Sequence, residues 1–307
     1  GRSACTTGAS RFTEATAAKM RICRFDDDRL GLVEGDHVID VTPALQVLPA
    51  LRWPLPLGDP LIVHLDAVLA RAQLLARGAP RRPLAQIMLK SPVANPSKIV
   101  NAPINYQAHI DEARRDQGIA HGRDIKTIAD WGLFLKAPSA LVGPGEPIRL
   151  RFAQRRNDHE CELAVVIGRR ADRVPREQAL DYVCGYAVGL DMTLRGPEFP
   201  SFRKSIDSYA VLGPWLTTRD EVGDPGALEL WLRVNGETRQ RSNTRRMVYD
   251  VPRLIEYASS FYTLYPGDII LTGTPEGVGP VRAGDEIRAG VERVGEFSIR
   301  VTAEEAA

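Results

Sequence analysis

The stretch HECELAVVIGRR, residues 159–170, decides how the rest of the chain reads. The apolar run Leu163–Ile167, closed by Gly168, predicts a buried strand. Alternate side chains of a strand share a face. Glu160 and Glu162 therefore project together, while Cys161, Leu163 and Val165 face the other way into packing. Outward from this strand, KIVNAP (98–103) and YAVGLD (186–191) read as further strands. LELWLRVNGETRQ (228–240) reads as a hairpin around Asn235-Gly236, a dipeptide suited to the left-handed backbone of a tight hairpin turn. The segment from Tyr265 onward reads as strand, loop and more strands. Helices are few: PREQALDYVCG (175–185), and DVPRLIEYASSF (250–261) capped by Asp250. Many short strands with few helices predict a β-rich α+β fold, a roll or barrel-like body with peripheral helices.

Upstream, residues 20–48 read as short strands with a turn at Glu34-Gly35-Asp36. A helix follows, capped by Asp59, with Pro60 in its first position and Gly78 at its end. The Pro-punctuated stretch at about 79–96 reads as a boundary, giving a small N-terminal domain over 20–93 and a catalytic domain over 94–307. Residues 1–19 have no apolar signal region and are expected to be an N-terminal extension, the fold beginning at Met20.

The chain has 307 residues, with 40 Lys+Arg against 39 Asp+Glu, so its net charge of +1 leaves no basic footprint for nucleic acid. Hydrophobic residues at 44% and charged residues at 26% exclude a disordered chain. No apolar run approaches the roughly 20 residues needed to span a bilayer. The four cysteines (Cys5, Cys23, Cys161, Cys184) form no Cys-x-x-Cys pair, and a chain of this length needs no disulfides, so a cytoplasmic location is expected.

Two carboxylates on one strand face repel each other unless something neutralises them. A hard divalent cation does so, whereas a solvated strand edge needs no ion. Asp191, at the end of YAVGLD, adds a third acid where a strand meets a loop, or is simply a turn residue. All-oxygen ligation favours Mg²⁺ or Mn²⁺ over Zn²⁺. His109 and Glu112, three apart in the helical-looking NYQAHIDEARRD, share a helix face. They make either a water-activating base with its orienting carboxylate or an exposed ion pair. Lys204 and Arg195 could hold an anionic substrate or stand as surface charges. The turn Thr272-Gly273-Thr274-Pro275 could offer N–H groups and hydroxyls to a carboxylate or be purely structural. It lacks the Gly-Lys-Ser/Thr of a nucleotide-binding loop.

In order and spacing these segments resemble the fumarylacetoacetate hydrolase family from about Lys98 to Val301. The resemblance rests on Asn105-Tyr106 with His109-x-x-Glu112, Phe134-Leu135-Lys136, Glu160-x-Glu162-Leu-Ala-Val-Val-Ile-Gly, Asp191-x-Thr193-x-Arg195, Lys204-Ser-x-Asp207, Leu212-Gly-Pro-Trp, Val234-Asn-Gly-Glu and Tyr265-Pro-Gly-Asp through Thr272-Gly-Thr-Pro-x-Gly-Val-Gly279. It implies a mixed β-roll catalytic domain, a small N-terminal domain and a homodimer. It also implies Mg²⁺ or Mn²⁺ on Glu160, Glu162 and Asp191, catalysis by His109, Glu112 and Lys204, and substrate contacts from Tyr106, Arg195, Glu198 and Thr274. Acylpyruvase-like members follow the arginine with Asp-x-Gln. This chain has Gly196-Pro197-Glu198, and a Glu there is expected to repel a substrate carboxylate.

The expected activity is hydrolysis of a C–C bond in a 1,3-diketone acid of the acylpyruvate or fumarylpyruvate type, through a metal-bound enolate. Decarboxylation, isomerisation or hydration of a 2-oxo acid could use the same site, and a non-catalytic binding paralogue could share the fold.

Overall fold

The computed structural model describes residues 19–304; Cys5 and all of the expected extension except Lys19 lie outside them. Cys161–Ile167 forms the predicted strand and is paired antiparallel on both sides, with Val183–Asp191 and with Ile269–Leu271. These three strands lie near the middle of a 12-stranded mixed sheet. Ile99–Asn101 runs parallel to Ile269–Leu271, and Phe134–Lys136 pairs with Ile99–Asn101. Beyond Val183–Asp191 lies Ala210–Thr218.

Both faces of the central strand are buried, which is why its sequence is continuously apolar rather than alternating. Cys161, Leu163, Val165 and Ile167 pack in a core shared with Leu230, Leu232, Ile287, Ala289 and Phe297. Those partners belong to a second sheet of five strands, ordered Glu237–Asn243, Glu229–Val234, Glu286–Val291, Gly295–Ala303 and Ile148–Leu150. Its hairpin turns at Asn235 (φ +51°) and Gly236 (φ +82°), the left-handed pair expected there. Ala164 and Val166 join the core on the opposite face, with Ala187, Leu271 and Val68. The α+β, β-rich class follows from these two sheets and the helices at their margins.

Residues 20–93 continue the main sheet. Arg21–Phe25 pairs with Ala210–Thr218, and Arg29–Glu34, His37–Asp40 and Arg81–Pro83 follow outward in order. Ile22, Leu30 and Val68 share one core with Ala164, Val166 and Ala187, so the boundary at 93 crosses a continuous apolar layer. The predicted helix at 60–78 is two pieces, Pro60–Val63 and Leu65–Ala76, interrupted at His64. Asp59 caps the first piece through one oxygen, which accepts from Leu61 N (2.9 Å) and Ile62 N (3.3 Å). Its other oxygen accepts from Ala94 and Asn95, so a single carboxylate stitches the helix start to the boundary segment.

Among the described residues no helix is long and apolar enough to cross a membrane. Cys23, Cys161 and Cys184 are free.

Candidate active site

The pairing of two central strands assembles the acids. Leu190 lies opposite Cys161, and the Asp191 N–H donates to the Glu160 carbonyl at 2.9 Å. Residues opposed across an antiparallel pair share a face, so Asp191 meets Glu160, with Glu162 beside them. One oxygen from each of the three carboxylates lies within 4.8 Å of the others, and all three side chains are buried.

Several donors converge on this trio. Lys204 Nζ donates to Glu160 (2.8 Å) and Asp191 (2.6 Å). Lys136, itself fully buried, pairs with Asp191 and donates to the Tyr209 carbonyl at 2.6 Å. Arg195 and the Thr193 hydroxyl each reach Glu160 at 2.9 Å. The Gly273 N–H donates to Glu162 at 2.7 Å. Gly273 has φ +92°, and a Cβ there would lie 2.6 Å from Asn105 Cβ, so this close approach needs glycine.

Burial raises the Glu160 carboxyl, but the charges of Lys204, Arg195 and His109 outweigh it and hold the group well below the usual carboxylate range. For Glu162, burial and then the charges of Asp191 and Glu160 push the carboxyl well above that range. Arg195 is balanced by Asp158 on its other side, at 2.8 Å. With all three ionised the trio would carry more negative charge than Lys136 and Lys204 neutralise, which is the repulsion that raises Glu162. A hard divalent cation fits this donor set: it relieves the repulsion at Glu162 and leaves the site net positive, the sign that a keto-acid carboxylate requires.

His109 and Glu112 lie on the helix Gln107–Arg115, and His109 Nδ1 is 2.8 Å from Glu112 Oε2. The other Glu112 oxygen accepts from Gly277 N at 2.9 Å. With Nδ1 engaged, Nε2 is the nitrogen left to act on a substrate or water. Asn105 anchors the start of this segment, donating to Tyr249 O and Thr272 O, both at 2.8 Å. Tyr106 follows it; its buried hydroxyl has no hydrogen-bond partner among the described residues. Burial and then the Glu162 charge push that phenol up.

Three expected substrate contacts are already engaged within the protein. Arg195 is bonded to Asp158 and Glu160 and so supports a carboxylate of the trio. The Thr274 hydroxyl donates to the Cys161 carbonyl and accepts from Gln240, both at 2.8 Å. Glu198 is held by both terminal nitrogens of Arg155 at 2.9 Å, and this pairing sets its carboxyl near about 2. The repulsion expected of Glu198 is therefore largely cancelled by Arg155.

In the sequence Lys136 stands within the Phe134-Leu135-Lys136 motif of the resemblance but has no role assigned to it; a lysine closing an apolar strand is its local signal. A line of ion pairs from the segment of His109 to the trio is not legible as such in the sequence: Asp116 to Arg156, Arg156 to Asp158, Asp158 to Arg195, and Arg195 to Glu160. The charge-dense run Arg155-Arg156-Asn157-Asp158 just before the acid strand is the trace it leaves in the sequence.

Fold and site together define a buried carboxylate trio able to hold a divalent cation, with a carboxylate-oriented histidine on a neighbouring helix. The family model "Fumarylacetoacetate (FAA) hydrolase C-terminal" matches residues 98–302, and the chain belongs to that family. It is 57% identical over 284 residues to maleylpyruvate hydrolase of Aquipseudomonas alcaligenes, covering 92% of this chain and 99% of that protein. It is 35% identical over 308 residues to the mitochondrial oxaloacetate tautomerase FAHD2A of Bos taurus, covering 94% and 93%. Among solved structures, maleylpyruvate hydrolase from Sphingobium sp. SYK-6 in complex with manganese(II) and pyruvate superposes with a TM-score of 0.78. That match has 42% identity and covers 93% of this chain and all of that one.

Proposed function

We propose that the protein hydrolyses maleylpyruvate, or a closely similar diacid acylpyruvate, to pyruvate and the corresponding carboxylic acid. The observation that carries this reading is the pairing of a buried carboxylate trio with a carboxylate-oriented histidine in one site. It is supported by the 57% identity to a maleylpyruvate hydrolase across nearly the whole of both chains.

Glu160, Glu162 and Asp191 would hold Mg²⁺ or Mn²⁺, which when bound supplies a Lewis acid at the 2-oxo acid end of the substrate. Glu112 fixes the His109 ring, and Nε2 takes a proton from water. The resulting hydroxide adds to the distal carbonyl carbon. The bond from that carbon to the neighbouring methylene then breaks. Its electron pair passes to the pyruvate half as an enolate, which is protonated to pyruvate, while the acyl half leaves as a carboxylic acid. Lys204, held against Glu160 and Asp191, stabilises the negative charge that builds on the pyruvate half. Tyr106, whose buried hydroxyl has no partner among the described residues and feels the Glu162 charge, is assigned to substrate contact. We place the protein in the cytoplasm as a homodimer, for which light scattering should return twice the chain mass.

The test is incubation with maleylpyruvate, fumarylpyruvate or acetylpyruvate, with Mg²⁺, Mn²⁺ or chelator, and products resolved by chromatography. The expected result is equimolar pyruvate and maleate, formed only with a divalent cation. Loss of maleylpyruvate without pyruvate release contradicts the reading.

A further inference from the structure

Arg203 ends the short helix Pro200–Arg203, next to Lys204 in the chain. Its side chain is buried, with the residue only 7% exposed, yet no carboxylate among the described residues pairs with it. Nε and Nη1 donate only to the backbone carbonyls of Glu198 and Leu194, each at 3.2 Å. Nη2 has no protein partner among the described residues. Its neighbours differ: Arg155 is paired with Glu198, and Arg195 with Asp158 and Glu160. A buried guanidinium without a counter-anion is costly to keep, and that cost is recovered when an anion binds.

A second guanidinium reaches the same loop from the base-bearing segment. Arg123 Nη2 donates to the Glu198 carbonyl at 2.9 Å and to the Pro197 carbonyl, and it too has no acid partner among the described residues. Arg155 donates to the Arg195 carbonyl of this loop as well, so three guanidinium groups bond the backbone of residues 194–198, and their charges, with that of Arg195, hold the exposed His121 below its ordinary value after partial burial. Burial and the Arg195 charge lower Arg203 to about 10, still fully charged at neutral pH, while Glu160 lies close enough to oppose them. Geometry places Arg203 beside the carboxylate trio: it donates to Leu194 O, whose neighbours Thr193 and Arg195 both reach Glu160, and it precedes Lys204, which bonds Glu160 and Asp191. Glu198, the acid of this loop, is already held by Arg155.

We infer that Arg203, joined by Arg123, is the subsite for a second, distal carboxylate, so that the site selects keto diacids over keto monoacids of the same length. This rests on the acylpyruvate reading for placing the 2-oxo acid end at the trio. Because Arg123 belongs to the segment that carries His109, a diacid would tie that segment to the loop 195–199.

Calorimetric binding of two non-hydrolysable ligands to the Mn²⁺-loaded protein tests this: 2-oxoadipate, and 2-oxohexanoate, which ends in a methyl group instead. The intact protein should bind the diacid at least about tenfold more tightly, as a charge-assisted contact requires. Arg203→Gln should bring the two ligands within about twofold while leaving the monoacid unchanged, which also serves as the control for folding. Arg203→Lys should retain part of the preference, and Arg123→Gln should reduce it without abolishing it. Equal affinities in the intact protein, or equal weakening of both ligands in Arg203→Gln, overturn the inference. Diacid preference that depends on Arg203 in a protein that does not hydrolyse maleylpyruvate would sustain the subsite and remove only the acylpyruvate reading.

Discussion

Glu162 and His109, the proposed metal ligand and the proposed base, are held in unlike ways. Glu162 sits in a strand laddered on both sides, with apolar cores on both faces of its sheet. His109 sits in a nine-residue helix that rests on a small separate cluster: Ile104, Ile110, Ala113, Ile119, Ala120, Ile125 and Val278. Polar ties hold that segment to the body: Glu112 to Gly277 N, Asp116 to Arg156, and Arg123 to the carbonyls of Pro197 and Glu198. The proposed cation-binding set is thus part of the core, whereas the proposed base rides on an element that few contacts fix. Segments of that second kind open at low free-energy cost, and a site that must admit a substrate needs one.

The largest effect expected from this division concerns His109→Ala. Its kcat should fall by about 10² to 10⁴, the usual contribution of a general base, while Mn²⁺ affinity stays at that of the intact protein. A parallel loss of metal affinity would erase the distinction between the two regions.

A smaller effect concerns stability. Saturating Mn²⁺ at 100 times its dissociation constant should stabilise the fold by about 2.7 kcal/mol, and chelation should remove this. Because the ion belongs to the body, His109→Ala should show the same rise in melting temperature. A rise that depends on His109 would place the base among the metal contacts.

The smallest effect belongs to the Asp116–Arg156 tie, whose side chains are 38% and 29% exposed. Such pairs contribute about 0–1 kcal/mol, so Asp116→Asn should lower kcat/KM no more than about fivefold and leave the melting temperature in place. A loss comparable to that of His109→Ala would mean that the ion-pair line to Glu160 controls the trio itself.

The sequence disclosed what local patterns encode. The side-by-side projection of Glu160 and Glu162 follows from strand alternation, and the His109–Glu112 contact follows from helical spacing. The Asn235-Gly236 turn follows from its backbone preference. What it hid depends on partners far along the chain. Arg155 reaches Glu198 across 43 positions, and Lys136 reaches Asp191 across 55. No local pattern announces either pair, so Glu198 read as a free negative charge and Lys136 as a strand residue without a role. The continuation of the sheet from Arg21–Phe25 into Ala210–Thr218 is equally long-range.

Calorimetric titration of Mn²⁺ into chelator-treated protein, compared with Glu162→Gln and Asp191→Asn, addresses the carboxylate trio most directly. One ion should bind per chain, and each variant should bind at least about 100-fold more weakly, since losing a ligand exceeds the 10–100-fold cost of losing an outer partner. Absence of binding to the intact protein, or unchanged affinity in both variants, would contradict the assignment of these three side chains to a cation.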